Sequence, residues 1–259
     1  MLESLDALVG SLSGYSVAYA VGTVLLAAFI RGFLGFGASL LIVMMLSAVL
    51  GPIVAVPVAT LTGIPATFQL LPTAVRLADR SIVWPFGLAT FIAAPVGAYV
   101  LVSLDPALMK ISISIFILLM VLMIHRGWRI AQQPGSGMLL VAGAISGLVQ
   151  GSAGVGGPPA VAVTLSCPGT SARQRANVIG AVAALSLCGV PAYWLHDLYT
   201  WEVVIISVVL APLYVSAIWA GARYFTDSGH RHYRLAALLT LAIIGVITLG
   251  LAVRDYLAG

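Results

Sequence analysis

The sequence predicts an all-α polytopic membrane protein made of two inverted repeats, each of about five helical segments, some short or discontinuous at glycine-rich breaks. Three observations carry this. Hydrophobic residues make up 61% of the 259 residues and charged residues only 8%, with a mean hydropathy of +1.11. A soluble domain carries about 25% charged residues, and one globular core of this size cannot hide so much apolar surface. The apolar runs are long and continuous, where a β-barrel alternates in segments of about ten residues. Finally, the glycines of "RGFLGFG" recur 119 residues later in "QGSAGVGGPP": Gly32, Gly35 and Gly37 map to Gly151, Gly154 and Gly156.

Apolar runs between polar breaks place helices at 15–34, 38–50, 53–75, 82–103 and 107–125, and a second set at 138–152, 157–167, 173–195, 201–223 and 233–253. Most reach the roughly 20 residues that a bilayer crossing needs. The runs 38–50 and 157–167 fall short and read as half-helices or as one arm of a re-entrant hairpin. Basic residues gather at Arg76 and Arg80, at Arg126 and Arg129, at Arg173 and Arg175, and at Arg223, Arg231 and Arg234. The intervening ends carry Glu3, Asp6, Asp105, Asp197 and Glu202, with Lys110 a weak exception. This alternation predicts a multi-pass protein of a bacterial inner membrane with both termini on the outer face. It also accounts for the formal charge of +4 without nucleic acid.

The same 119-residue shift carries Ser47 to Ser166 and Pro72 to Pro191; with a two-residue deletion, Trp84 maps to Trp201 and Pro95 to Pro212. The expected division is a first repeat over 1–130 and a second over 131–259. Residues 1–14 form a lead-in without the basic start of a cleavable signal, and 126–137 a basic loop between the repeats. An odd number of effective crossings per half inverts one half relative to the other, as in many secondary transporters whose discontinuous helices meet near the midplane.

Irregular backbone at membrane depth is tolerated where it is buried in protein or lines a wet cavity. Amides freed at a helix start carry partial positive charge and suit anions. Pro158 and Pro159 stand where a helix restarts, so Gly35, Gly37, Gly151, Gly154, Gly156 and Gly157 are candidate backbone donors, with Ser152 beside them. The alternative is close helix packing through small residues. Arg31 and Gln150 occupy equivalent positions, each just before a motif glycine, and can donate to an anion from either side; for Arg31 an interfacial positive-inside role is the competing reading. Asn177 and Arg175 add polarity to one helix of the second half, and Gln69 is a weaker candidate. The order G-x-x-G-x-G without a βαβ context argues against a nucleotide site. His125, His196, His230 and His232 lie at helix ends or in loops. Cys167 and Cys188 read as small buried hydrophobes, and no metal or cofactor is expected. An intramembrane enzyme would need a nucleophile–base pair in the spans, and none pairs with Ser152.

The stretches "GFLGFGASL" and "GLVQGSAGVGGPP", set in a duplicated layout over nearly the whole chain, resemble the sulfite exporter TauE/SafE family. Ala38 stands where a fuller first motif has glycine, and no proline follows it. The resemblance implies a transporter of sulfite, sulfoacetate or related organosulfonates and organic anions. The expected partners are thus a small anion and the bilayer, with a homodimer left open. Export fits the energetics: one negative charge moving outward gains about 2.3 kcal/mol per 100 mV. A coupled uptake carrier or a channel-like permease is the alternative.

Overall fold

The computed structural model describes residues 14–103 and 135–224, with isolated positions at 122 and between 239 and 254. The lead-in over 1–13, most of the helices expected at 107–125 and 233–253, and Arg126 and Arg129 lie outside the described residues. Eight helices are described: α1 (Gly14–Leu34), α2 (Ala38–Leu50), α3 (Pro52–Leu77), α4 (Arg80–Ser103), α5 (Ser136–Ala153), α6 (Gly157–Ser166), α7 (Ser171–Trp194) and α8 (Trp201–Tyr224). No strand occurs among the described residues. The all-α membrane fold is therefore as expected, with each boundary of these eight described helices within two residues of its predicted place.

Five of these helices are long and apolar enough to cross a bilayer: α3, α4, α5, α7 and α8. Proline does not end them; α3 runs through Pro57, Pro65 and Pro72. Tertiary burial sustains the helix there, and threonine hydroxyls stay within it by donating to carbonyls one turn back, Thr60 to Val56 and Thr67 to Gly63.

The two short runs are indeed short. With 13 residues α2 is about 20 Å long and with 10 residues α6 is about 15 Å, against a hydrocarbon core of about 30 Å. The chain doubles back at α6. Gly156 sits so close to the Ser146 carbonyl that a Cβ would collide with it. Farther along, Val163 and Cys167 share an apolar cluster with Leu139 and Ala142 near the start of α5. So α6 returns toward the face from which α5 began, as the second arm of a helical hairpin.

Helices α3 and α7 cross the centre in opposite directions, with Gly189 facing Thr60 and Gly180 facing Ala74. Of the five long helices α7 is the most enclosed and α8 the least. Around them, α5 packs on α4 and α1 on α8 with backbones in near contact. Gly151 abuts Ala94 and Ala98, and Gly32 abuts Ile218 and Ala222. Gly97 abuts the Leu148 carbonyl, and Gly221 the Phe29 carbonyl. These contacts correspond pairwise. The shift is 119 residues from α1 to α5, as expected, but 124 residues from α4 to α8. The matches of Trp84 with Trp201 and of Pro95 with Pro212, which need 117, are therefore not positions of equal contact.

Candidate functional site

The two glycine breaks end α1 and α5 in the same way. Gly35 (φ 90°) and Gly154 (φ 68°) are left-handed, which side chains with a Cβ resist. Each amide closes the last turn: Gly35 donates to the Arg31 carbonyl at 2.6 Å, and Gly154 to the Gln150 carbonyl at 2.8 Å. Beyond that the breaks diverge. Gly37 is again left-handed (φ 96°), whereas Gly156 is right-handed (φ −63°) and donates to Oε1 of Gln150 at 3.1 Å. The Tyr193 hydroxyl also donates to the Gln150 carbonyl. Gln150, expected as an anion donor, thus uses its side-chain oxygen to lock its own loop.

Those bonds revise the expected cradle of amides. Gly35, Gly154 and Gly156 already have acceptors, so their N–H groups are not offered to a ligand. At the start of α6, Pro158 and Pro159 have no N–H, which leaves Gly157 as the sole free donor of the first turn. The start of α2 is richer. Ala38, Ser39 and Leu40 have no intrahelical acceptor, and no side chain caps them. Three amides and the Ser39 hydroxyl therefore gather at the positive end of α2.

Both starts face one small enclosed cavity of about 20 Å³, with Gly37, Ser39 and Leu40 on one side and Gln150, Gly157 and Ser186 on the other. That is room for about one water molecule. The two breaks, far apart in sequence, are therefore brought together.

Next to the cavity lies Arg31, 2% exposed. Its Nη1 donates to the Tyr214 hydroxyl at 3.1 Å, and its Nη2 to Thr67 Oγ1 at 2.8 Å and to Ser186 Oγ at 3.3 Å. The guanidinium also stands 6.0 Å from the centre of the Tyr214 ring. Its Nε has no hydrogen-bond partner among the described residues. All its side-chain partners among the described residues are neutral, which is unusual for a buried cation. The side chain joins α1 to α3, α7 and α8. Thr67, Ser186 and Tyr214 were not anticipated, although Thr67 and Ser186 stand 119 residues apart and the repeat spacing itself pairs them.

The remaining expected residues lie elsewhere. Arg175 is buried, but its Nε and Nη2 donate to the carbonyls of Phe33 and Gly32 at 3.0 and 2.6 Å, where a cation suits the C-terminal end of α1. Asn177 is bound to the α3–α4 connection: its Oδ1 accepts from the Asp79 amide at 2.7 Å and its Nδ2 donates to Asp79 Oδ2 at 3.3 Å. Arg173 approaches the same carboxylate at 3.9 Å. The backbone carbonyl of Asp79 accepts from the amides of Ile82 and Val83, so this cluster holds the start of α4. The Ser152 hydroxyl donates to the Val149 carbonyl within its own helix. Gly151 serves the α4–α5 packing described above, and Gln69 lines a lipid-side groove between α3 and α8. Among the described residues no cluster of His, Cys, Asp and Glu has the make-up of a metal site.

Among known families, the one described as Sulfite exporter TauE/SafE matches the chain over residues 20–248. No curated protein and no solved structure gives a match.

Proposed function

Because this chain belongs to the sulfite exporter TauE/SafE family, whose members are membrane transporters, we propose that it carries a small sulfur-containing or organic anion outward across a bacterial inner membrane by alternating access. The observation that carries this reading is Arg31: a guanidinium buried at the junction of four helices, balanced among the described residues only by hydroxyls, with no partner for its Nε among them. An anion beside it would supply the missing countercharge. The uncapped amides of Ala38, Ser39 and Leu40, the Ser39 hydroxyl and the Gly157 amide would complete the shell.

In this reading the halves over 1–130 and 131–259 are inverted copies, and the pairwise correspondence of the α1–α8 and α4–α5 contacts supports it. The cavity of about 20 Å³ is too small for a sulfonate. It corresponds to a closed form that opens when one half rocks against the other. Outward movement of an anion runs with an inside-negative potential, by about 2.3 kcal/mol per charge per 100 mV. The charge distribution along the chain supports termini on the outer face.

The test is stabilisation of the purified protein by sulfite, thiosulfate, sulfoacetate, taurine and simple carboxylates, followed by efflux of labelled sulfite from proteoliposomes. Saturable counterflow is expected of a carrier. Stabilisation by cations or neutral solutes alone would overturn the reading, and flux without counterflow would replace the carrier by a channel.

A further inference from the structure

We propose that the groove between α3, α4 and α7 is a specific binding site for one phospholipid with a net-negative headgroup. The groove has a volume of about 1030 Å³, and its wall is almost wholly apolar, formed by Leu71, Trp84, Leu88, Phe91, Ala184 and Leu187. It flanks α4, a helix long and apolar enough to span the bilayer. Trp84, Leu88 and Phe91 remain well exposed among the described residues, which is ordinary for a wall that faces lipid.

Two features single this groove out. The first is depth. From Arg80 at the start of α4 to Phe91 is eleven residues, about 16 Å of helix, and one leaflet of a 30 Å hydrocarbon core is about 15 Å. A single acyl chain therefore fits from headgroup level to the midplane. The second is charge. Arg80 belongs to the groove lining at its rim, is exposed, and has no hydrogen-bond or ion-pair partner among the described residues. Arg76, the penultimate residue of α3, is also exposed but does not line the groove, so the assignment rests on Arg80. The nearby carboxylate of Asp79 is engaged by Asn177 and faces Arg173, so it leaves Arg80 to a phosphate. Trp84, one turn into α4, belongs at the interface where aromatic side chains meet headgroups. By contrast, the groove of about 670 Å³ between α3 and α8 has no basic residue among its described lining and carries no such assignment.

The experiment is native mass spectrometry of the full chain, titrated separately with phosphatidylglycerol and phosphatidylcholine. The wild type is expected to hold one phosphatidylglycerol in preference to phosphatidylcholine. Arg80→Ala should lower phosphatidylglycerol binding about five-fold, in line with about 1 kcal/mol per basic side chain near an anionic surface, and leave phosphatidylcholine unchanged. Ala184→Leu, which fills the floor, should weaken both lipids. Equal binding of the two lipids by the wild type, or an Arg80→Ala protein that keeps the wild-type preference, would overturn the assignment. So would unchanged lipid retention in a folded Ala184→Leu protein.

Discussion

Replacing Arg31 with methionine separates a functional cation from a structural one. Three hydrogen bonds from the guanidinium, at about 1.5 kcal/mol each for bonds to a charged group, contribute about 4–5 kcal/mol to the fold. Against them stand about 2.5–3.5 kcal/mol for a charged side chain at bilayer depth and about 1–2 kcal/mol for the unpartnered Nε. The two sides cancel to within about 2 kcal/mol, and Thr67 keeps its Gly63 acceptor when the arginine is gone. Methionine fills the space along the same path, so Arg31→Met is expected to fold with a melting temperature within several degrees of wild type. Binding should behave differently. Loss of the buried countercharge to an anion costs about 3 kcal/mol, on the order of a hundred-fold in affinity. The assay is thermal unfolding of purified protein with and without sulfite, paired with sulfite efflux from proteoliposomes. A variant that transports normally would refute the placement of the anion at Arg31. A variant that unfolds outright would make the arginine a structural bolt.

Further substitutions divide the site from its supports. Gly157→Ala meets nothing within 4 Å and points into open space beside the cavity. It should keep or slightly raise stability and reduce transport; unchanged transport would remove Gly157 from the site. Gly156→Ala collides with the Ser146 carbonyl, so its loss should appear as lowered expression and melting temperature rather than as altered affinity in folded protein. Ser186→Ala removes a hydroxyl that accepts from Arg31 and so competes with an anion; binding by titration should be as tight as wild type or tighter, and a ten-fold weakening would make the hydroxyl itself a ligand. Asn177→Ala unties Asp79 from α7 and should lower stability by about 1–2 kcal/mol while leaving the half-saturating sulfite concentration unchanged.

Helix positions were legible because hydropathy and glycine breaks are local signals, and the short lengths of α2 and α6 already suggested half-helices or re-entrant arms while leaving a full crossing open. Arg31 was legible too, since a cation inside an apolar run stands out. Its partners were not: Thr67, Ser186 and Tyr214 are unremarkable in their own helices and acquire meaning only when α3, α7 and α8 converge. Gln150 and Arg175 show a second, structural demand that the sequence did not reveal. Polar residues near a break read as ligands, and loop amides and helix-end carbonyls must also be satisfied: the Gln150 side-chain oxygen and the Arg175 guanidinium do that, while the Gln150 amide nitrogen remains beside the cavity. The misplaced register of α4 on α8 has its own cause. The difference between 117 and 124 is seven residues, almost two helical turns, so the wrong alignment preserves which face each residue occupies and passes any test of pattern.

The paired prolines at the start of α6 carry one more consequence. They delete donors on the side of the second half, while the first half keeps three amides, a hydroxyl and the guanidinium. If the halves rock against each other, the anion rides with the first half as its seat, and the α5–α6 hairpin acts as a door that swings past it. Affinity would then be set by one half and access by the other, so mutations in the door would change turnover and mutations in the seat would change selectivity.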